Sequence, residues 1–367
     1  MSATIVARAP GKLFVAGEYA VVTPGEPAVL VAVDRFLTVS LTETTGAGGI
    51  HSPESARPSL RWTRDAGGLV VAPEDHSYDY VLSALTVIER LRAERGIAPR
   101  LYDLTIDSGL DDASGRKFGL GSSAAVTVAT IRAIDRFYRL ALDRRTLYQL
   151  ALLATIRIAP SASGGDLAAS TFGGWIGYRS PDREMLRRLL DAGDAVASVL
   201  ESDAWEHLEI VRLRPPRDLG FFVGWTGEPA STVRLVDAVG RGAAVGAVDH
   251  AGFLRDSRAC VTDLWAALDA GDDAATLDAL RRARGLLQAL GAQAGLAIET
   301  PRLAALCDAA ETAGAAAKSS GAGGGDCGIV LAPASADVRG MLDAWEAQDI
   351  RRLTIAVHPP EGGDDVL

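Results

Sequence analysis

The chain has 367 residues, 48% hydrophobic and 23% charged, with a formal net charge of −10. That length and balance leave room for two domains with a large core and exclude a disordered chain, while the acidic balance argues against a nucleic-acid or membrane-surface binder. No apolar run approaches a membrane span, MSATIVARAP lacks a signal-peptide core, and the three cysteines (Cys260, Cys307, Cys327) cannot all pair and have no metal-ligand spacing, so a reducing, cytoplasmic setting is expected.

Strand-like runs open the chain: ATIVARAP, LFVAGEYAVV, AVLVAVD and FLTVSLTE, separated by the turn signals PGK and TPGEP. Pro10-Gly11 is expected to turn the chain between two strands and leave Lys12 at a strand end. Taken alone, PGK is ordinary turn chemistry and fits an exposed lysine better than a functional one. Residues 44–76, rich in Gly, Pro and Ser with one strand-like patch at GLVVAP, read as an insertion or a mobile loop. Residues 81–95 have helical spacing and stop at Gly96, a C-cap signal. LYDLTIDS is a strand. Helices are expected at about 122–140 and 144–158, the second running into PSASGGD, which puts Asp166 on a loop before the strand TFGGWIGYR.

A charged helical stretch near 183–203 precedes a restart with HLEIVRL and GFFVGWTG. Helices follow at about 231–247, 252–270 and 273–293. The last unit is a helix (302–314), a glycine loop (318–325), the strand CGIVLA, a helix (336–346) and the strand LTIAVHPP. This mixture, without strict alternation of strand and helix, indicates an α+β chain of two domains, 1–190 and 191–367.

Of the 37 lysines and arginines only three are lysines, Lys12, Lys117 and Lys318, each beside a glycine-containing loop. A compact ammonium on a thin stem suits an anion site; chance in an arginine-biased composition is the alternative. The stretch GRKFGLGSSAAVTVATI starts a helix at Ser122, whose free N–H groups and partial positive charge attract anions. Gly119 and Gly121 allow close backbone approach, Ala124 and Ala125 keep the first turn free of bulk, and Ser122 or Ser123 can cap the helix, bind phosphate or reach Mg²⁺. A plain N-cap accounts for one serine but leaves the second serine, both glycines and Arg116-Lys117 without a purpose.

The loop is not a Walker A motif, since no Gly-Lys-Ser/Thr closes it. Gly119, Gly121 and Ala124 match the dinucleotide pattern G-x-G-x-x-A, but about ten residues separate them from the preceding strand and the later acidic residue is missing, so that reading fails on context. KSSGAGGGDCG (318–328) is costly in chain entropy unless its backbone lies against a ligand. In PSASGGD an Asx-turn aspartate is the plain alternative for Asp166.

In this order, APGKLFVAGEYAVV, FGLGSSAAVTVA, SGGDLAAS and KSSGAGGGDCGIVL resemble the GHMP kinase superfamily over nearly the whole chain. Tyr19 in GEYAVV, GWTGEPASTVRLV and LDDASGRKFGLGSSAAVTVAT look most like its bacterial phosphomevalonate kinases. The resemblance implies an N-terminal domain like domain 2 of ribosomal protein S5, a ferredoxin-like C-terminal domain, and ATP and a small anionic acceptor in the cleft between them. It implies Lys12 and Asp166 as the catalytic pair, and Lys117, Gly119, Leu120, Gly121, Ser122, Ser123, Ala124 and Ala125 around ATP. It implies Mg²⁺ on Ser123 or Ser122. It implies Tyr19, Ser161, Ser163, Gly164, Ser231, Thr232, Ser319, Ser320, Gly321, Ala322 and Gly323 around phosphomevalonate.

An anionic acceptor needs further cations, for which Arg116, Lys117, Arg157 and Lys318 are the candidates. Thr155 stands where some relatives carry an acidic magnesium ligand. The rivals are a sibling kinase acting on mevalonate or another small alcohol, and a catalytically silent sensor of the same fold. Neither nucleic acid nor membrane is an expected partner, and the chain is expected as a monomer or homodimer.

Overall fold

The computed structural model describes residues 4–53, 59–65, 68–71, 78–112, 114–230 and 232–362. Two sheets, each with its own helices, make up the fold. The first is built around β2 (Pro27–Thr44), whose 18 residues pair with β1 (Ile5–Ala16), β6 (Leu101–Ser108) and β7 (Trp175–Arg179). Its N-terminal half, PAVLVAV, is buried on both faces and reads as a continuous apolar run; from Leu37 onward buried and half-exposed residues alternate, as on a strand with one covered face.

β3 (Gly48–His51), β4 (Leu60–Asp65) and β5 (Gly68–Val71) extend the sheet beyond β6, in the order β5-β4-β3-β6-β2-β7-β8 with β1 paired to β2. These strands fall where the sequence suggested a mobile loop. The segment is Gly-rich because Gly48 and Gly49 leave no room for side chains beside Trp62, His51 and Asp103. Pro10-Gly11 makes no turn. β1 continues through it with a register shift, Pro10 facing Phe36 and Gly11 facing Val33, so β2 bulges and β1 delivers Lys12 from within a strand.

α1 (Asp79–Glu94), α2 (Ser122–Tyr138), α3 (Arg144–Ile158) and α4 (Gly165–Phe172) cover one face, with α2 and α4 against β1 and β2. α5 (Arg183–Asp191) and α6 (Val196–Leu200) follow. β8 (Glu209–Leu213), which the sequence assigned to the second domain, pairs with β7 in the first sheet. The chain therefore passes from the first sheet to the second between Leu213 and Leu219.

The second sheet has the order β10-β11-β9-β12, all antiparallel: β9 (Leu219–Trp225), β10 (Ala316–Ser319), β11 (Cys327–Pro333) and β12 (Arg351–Leu353). α7 (Thr232–Ala244), α8 (His250–Ala270), α9 (Asp273–Ala294), α10 (Pro301–Thr312) and α11 (Val338–Glu346) complete it.

The expected last strand LTIAVHPP ends early. Beyond Leu353 the chain returns to the first sheet, where His358 N–H donates to Ala32 and Gly174 N–H to His358, each at 2.9 Å. Among the described residues no helix is long and apolar enough to cross a membrane.

Candidate active site

A cavity of about 470 Å³ lies where β1, the N-termini of α2 and α4 and the loop between β10 and β11 converge, a size suited to small-molecule ligands. Lys12, on β1, is 6% exposed, and its ammonium stands 3.4 Å from Asp166. Its backbone N–H donates to Leu120 at 2.9 Å, tying the strand to the loop before α2.

In that loop Gly121, at φ 80°, is the N-cap of α2, and no side chain caps the helix. Ser122 is therefore not the cap that the sequence allowed. Both serines line the cavity, and the first N–H groups carry the helix's partial positive charge. Gly121 has to be glycine twice over: its φ is positive, and a Cβ would lie 2.8 Å from Lys12 Cε. Lys117 and Arg116 line the rim, with the Arg116 guanidinium on Asp112 at 3.0 Å. Ser114 and Arg116 hold the Asp112 carboxyl down at about 2. Ala124 lines the cavity, whereas Ala125 is wholly buried behind it.

Asp166 is not on a loop. It sits in the first turn of α4, an eight-residue helix that opens on Gly164 at φ 88°, again without a side-chain cap. Ser161, Ser163 and Gly164 line the approach to it. Buried tyrosines brace that approach: Tyr178 donates to Ser163 O at 2.6 Å and bonds Tyr148 at 2.7 Å. Arg183 donates to Ala162 O at 2.8 Å and to Val22 O. Tyr80 lines the cavity and its hydroxyl bonds Ser123; burial pushes its pKa up, with Asp166 adding to the effect.

The third motif splits in two. Gly321 and Ala322 line the cavity; Ser319, Ser320 and Gly323 do not. Ser320 instead staples β1, its hydroxyl accepting from Phe14 N–H at 2.8 Å and donating to Phe14 O at 3.0 Å. Tyr19 donates to Ala322 O at 2.5 Å, and burial beside Glu18 pushes its pKa well up. Lys318 is wholly buried on Glu18 and cannot serve as a cleft cation, and Arg157 is exposed away from the lining. Ser231 lies outside the described residues, Thr232 opens α7, and Pro229 and Ala230 beside them line the cavity.

Sequence reasoning missed Glu18, Tyr80, Arg183 and Asp326. Asp326, at φ 55°, is pinned by its N–H to Glu228 O at 2.7 Å and its carbonyl to Thr226 N–H at 2.9 Å. Its Oδ1 accepts from Ala230 N–H at 3.3 Å, and burial raises its pKa against the pull of Lys12 and Lys117.

As for a metal, no group of three or more His, Cys, Asp or Glu gathers among the described residues, so the protein alone offers no cage. The donors are hard oxygens, and the buried Thr155 hydroxyl has no partner there. That set fits Mg²⁺ held jointly with phosphate oxygens.

The family profile "GHMP kinases N terminal domain" matches residues 79–174 and "GHMP kinases C terminal" residues 266–350. A phosphomevalonate kinase of Streptomyces sp. (strain CL190) is 45% identical over 96% of this chain and 96% of its own. A mevalonate kinase of Pyrococcus abyssi is 30% identical over 91% and 90%. Among solved structures, the Streptococcus pneumoniae phosphomevalonate kinase in complex with phosphomevalonate and AMPPNP superimposes with a TM-score of 0.83, 28% identity, and 96% and 99% coverage.

Proposed function

The chain belongs to the GHMP kinases, and from that premise we propose that it transfers the γ-phosphoryl group of ATP to the phosphate of (R)-5-phosphomevalonate, giving 5-diphosphomevalonate and ADP on the mevalonate route to isoprenoids. The observation that carries the reading is the Lys12–Asp166 pair, 3.4 Å apart in the same cavity as the uncapped start of α2. Greater identity to a phosphomevalonate kinase than to a mevalonate kinase favours a phosphate over an alcohol as acceptor.

Transfer forms a bond from an acceptor phosphate oxygen to Pγ and breaks the bond from Pγ to the bridging oxygen, which leaves with ADP. Such a reaction asks mainly for positioning and charge stabilisation. The N–H groups of Gly119 to Ala124 and the ammonium of Lys117 hold the nucleotide phosphates. Lys12 stabilises the charge of the transferred group, and Asp166 keeps that ammonium oriented. The hydroxyls of Ser123 and Ser122 would hold Mg²⁺ together with ATP, and the ion would supply further neutralisation of phosphate charge.

The acceptor has its second pKa near 6 and is largely dianionic at about pH 7. Asp166 therefore takes a residual proton where there is one, and need not act as the strong base an alcohol would demand. Arg116 is the lining cation left for the acceptor, with Tyr19, Ser161, Ser163, Gly164, Gly321 and Ala322 shaping its end. Three buried free thiols suit a reducing, cytoplasmic setting.

Phosphorus NMR of the protein with Mg²⁺, ATP and phosphomevalonate tests the reading. Diphosphomevalonate resonances growing in step with ADP are expected; ADP without a new diphosphate would contradict it.

A further inference from the structure

Three carboxylates line the cavity among the described residues: Glu18, Asp166 and Asp326. Two are committed to cations. Glu18 accepts from Lys318 and from Gly321 N–H, and Asp166 faces Lys12. Asp326 has no ion-pair partner among the described residues, although Lys12 and Lys117 are near enough to act on its charge.

We propose that Asp326 is the protein's carboxylate ligand for the divalent cation that accompanies the nucleotide, an inference that rests on the kinase reading above. Its backbone is locked between Thr226 and Glu228, and Oδ1 is occupied by Ala230 N–H. Oδ2 lies against Gly119, where a Cβ would come within 2.7 Å of it. The carboxylate is thus rigidly held over the backbone of the loop that receives the phosphates.

A carboxylate in that place repels a triphosphate unless a cation stands between them. Lys12 and Lys117 act on the charge of Asp326 from nearby but are given to the phosphates above, so a cation that binds carboxylate and phosphate together suits the place. Mg²⁺ usually takes one or two carboxylates together with phosphate oxygens and retained waters. Asp326 supplies the one carboxylate not already neutralised. The Thr155 hydroxyl, at 7% exposure, also lines the cavity and has no partner among the described residues, which marks a need for a polar ligand there.

The test compares wild type with Asp326→Asn and Asp326→Gly, both of which suit the positive φ. Mn²⁺ binding to the protein with AMPPNP is followed by electron paramagnetic resonance, and AMPPNP binding in EDTA by equilibrium dialysis. Expected is a loss of Mn²⁺ affinity of about tenfold or more, with metal-free nucleotide binding and melting temperature close to wild type in at least one variant. Unchanged Mn²⁺ affinity overturns the proposal. So does a parallel loss of metal-free nucleotide binding, which would make Asp326 a tether of the loop. Failure of the wild type itself to bind AMPPNP, with or without metal, removes the kinase reading and this inference with it, and is distinguishable from both.

Discussion

Lys318 and Glu18, 300 residues apart in sequence, form an ion pair closed to solvent, and Glu18 also accepts from the backbone N–H of Gly321. With Ser320 on Phe14 and Tyr19 on Ala322, the pair fastens the third glycine loop to the strand that carries Lys12. Removing one partner strands a buried charge. Lys318→Met is expected to cost about 3–5 kcal/mol, and Glu18→Gln with Lys318→Met to recover most of it. Urea unfolding of the three proteins checks this; a wild-type midpoint for Lys318→Met would contradict the role given to the pair.

Lys12→Met is expected to lower kcat by about 10²-fold or more while leaving the melting temperature near wild type, since it removes charge stabilisation of the transferred group. Asp166→Asn should cost less at about pH 7, where the acceptor is already dianionic. The deficit should grow as pH falls below about 6, because a monoprotonated acceptor must then lose its proton. Steady-state rates across that range read the difference directly, and a deficit that shrinks on acidification would refute the assignment.

Gly121→Ala forces a side chain onto φ 80° and within 2.8 Å of Lys12 Cε. Strain of about 1–3 kcal/mol is expected, together with a kcat loss of about tenfold, because the ammonium is displaced. Gly115→Ala is the control: φ is 79° there, but a Cβ meets nothing within 4 Å. It should lose stability without the same loss of turnover.

The C-terminal return is held by Glu361, whose carboxylate meets Arg132 at 2.9 Å and Arg144 at 3.0 Å. Burial works to raise its pKa, but the two arginines outweigh it and the net shift is below 4.5. A depressed folded-state pKa contributes stability that is present above 4.5 and lost as pH falls through the folded value. Glu361→Gln should therefore be less stable than wild type at about pH 7, with the gap closing in acid. Denaturant titrations at the two ends of that range measure it, and a constant gap would contradict the account.

The parts of the fold readable in the sequence are those whose signal is local. α2 and α3 follow from apolar periodicity, and the glycine loops announce their own close approach. α4 escaped because GDLAASTF, eight residues that begin at a second glycine, is too short to show a helical period. Of β3 to β5, β5 is the strand-like patch GLVVAP, whereas β3 escaped because Gly48 and Gly49 serve packing against large side chains, not a loop. β8 reads like the start of a new domain, and only its pairing with β7 shows which sheet owns it.

Site residues divide the same way. Lys12, Asp166 and the Ser122-Ser123 pair stand in recognisable segments and meet in one cavity. Lys318 was misplaced as a cleft cation because its neighbouring glycines outweighed a quieter signal, the short small-residue strand AAKS buried on both faces. Glu18 and Asp326 stand inside quoted motifs and Tyr80 and Arg183 outside them, but all four matter through contacts with distant segments that the sequence does not show.

The most direct test of the central claim is ADP release with Mg²⁺ and ATP, measured separately with phosphomevalonate, mevalonate, homoserine and galactose. Turnover with phosphomevalonate, and little or none with the three alcohols, is the predicted result. Turnover with mevalonate alone, or with no acceptor at all, would contradict it.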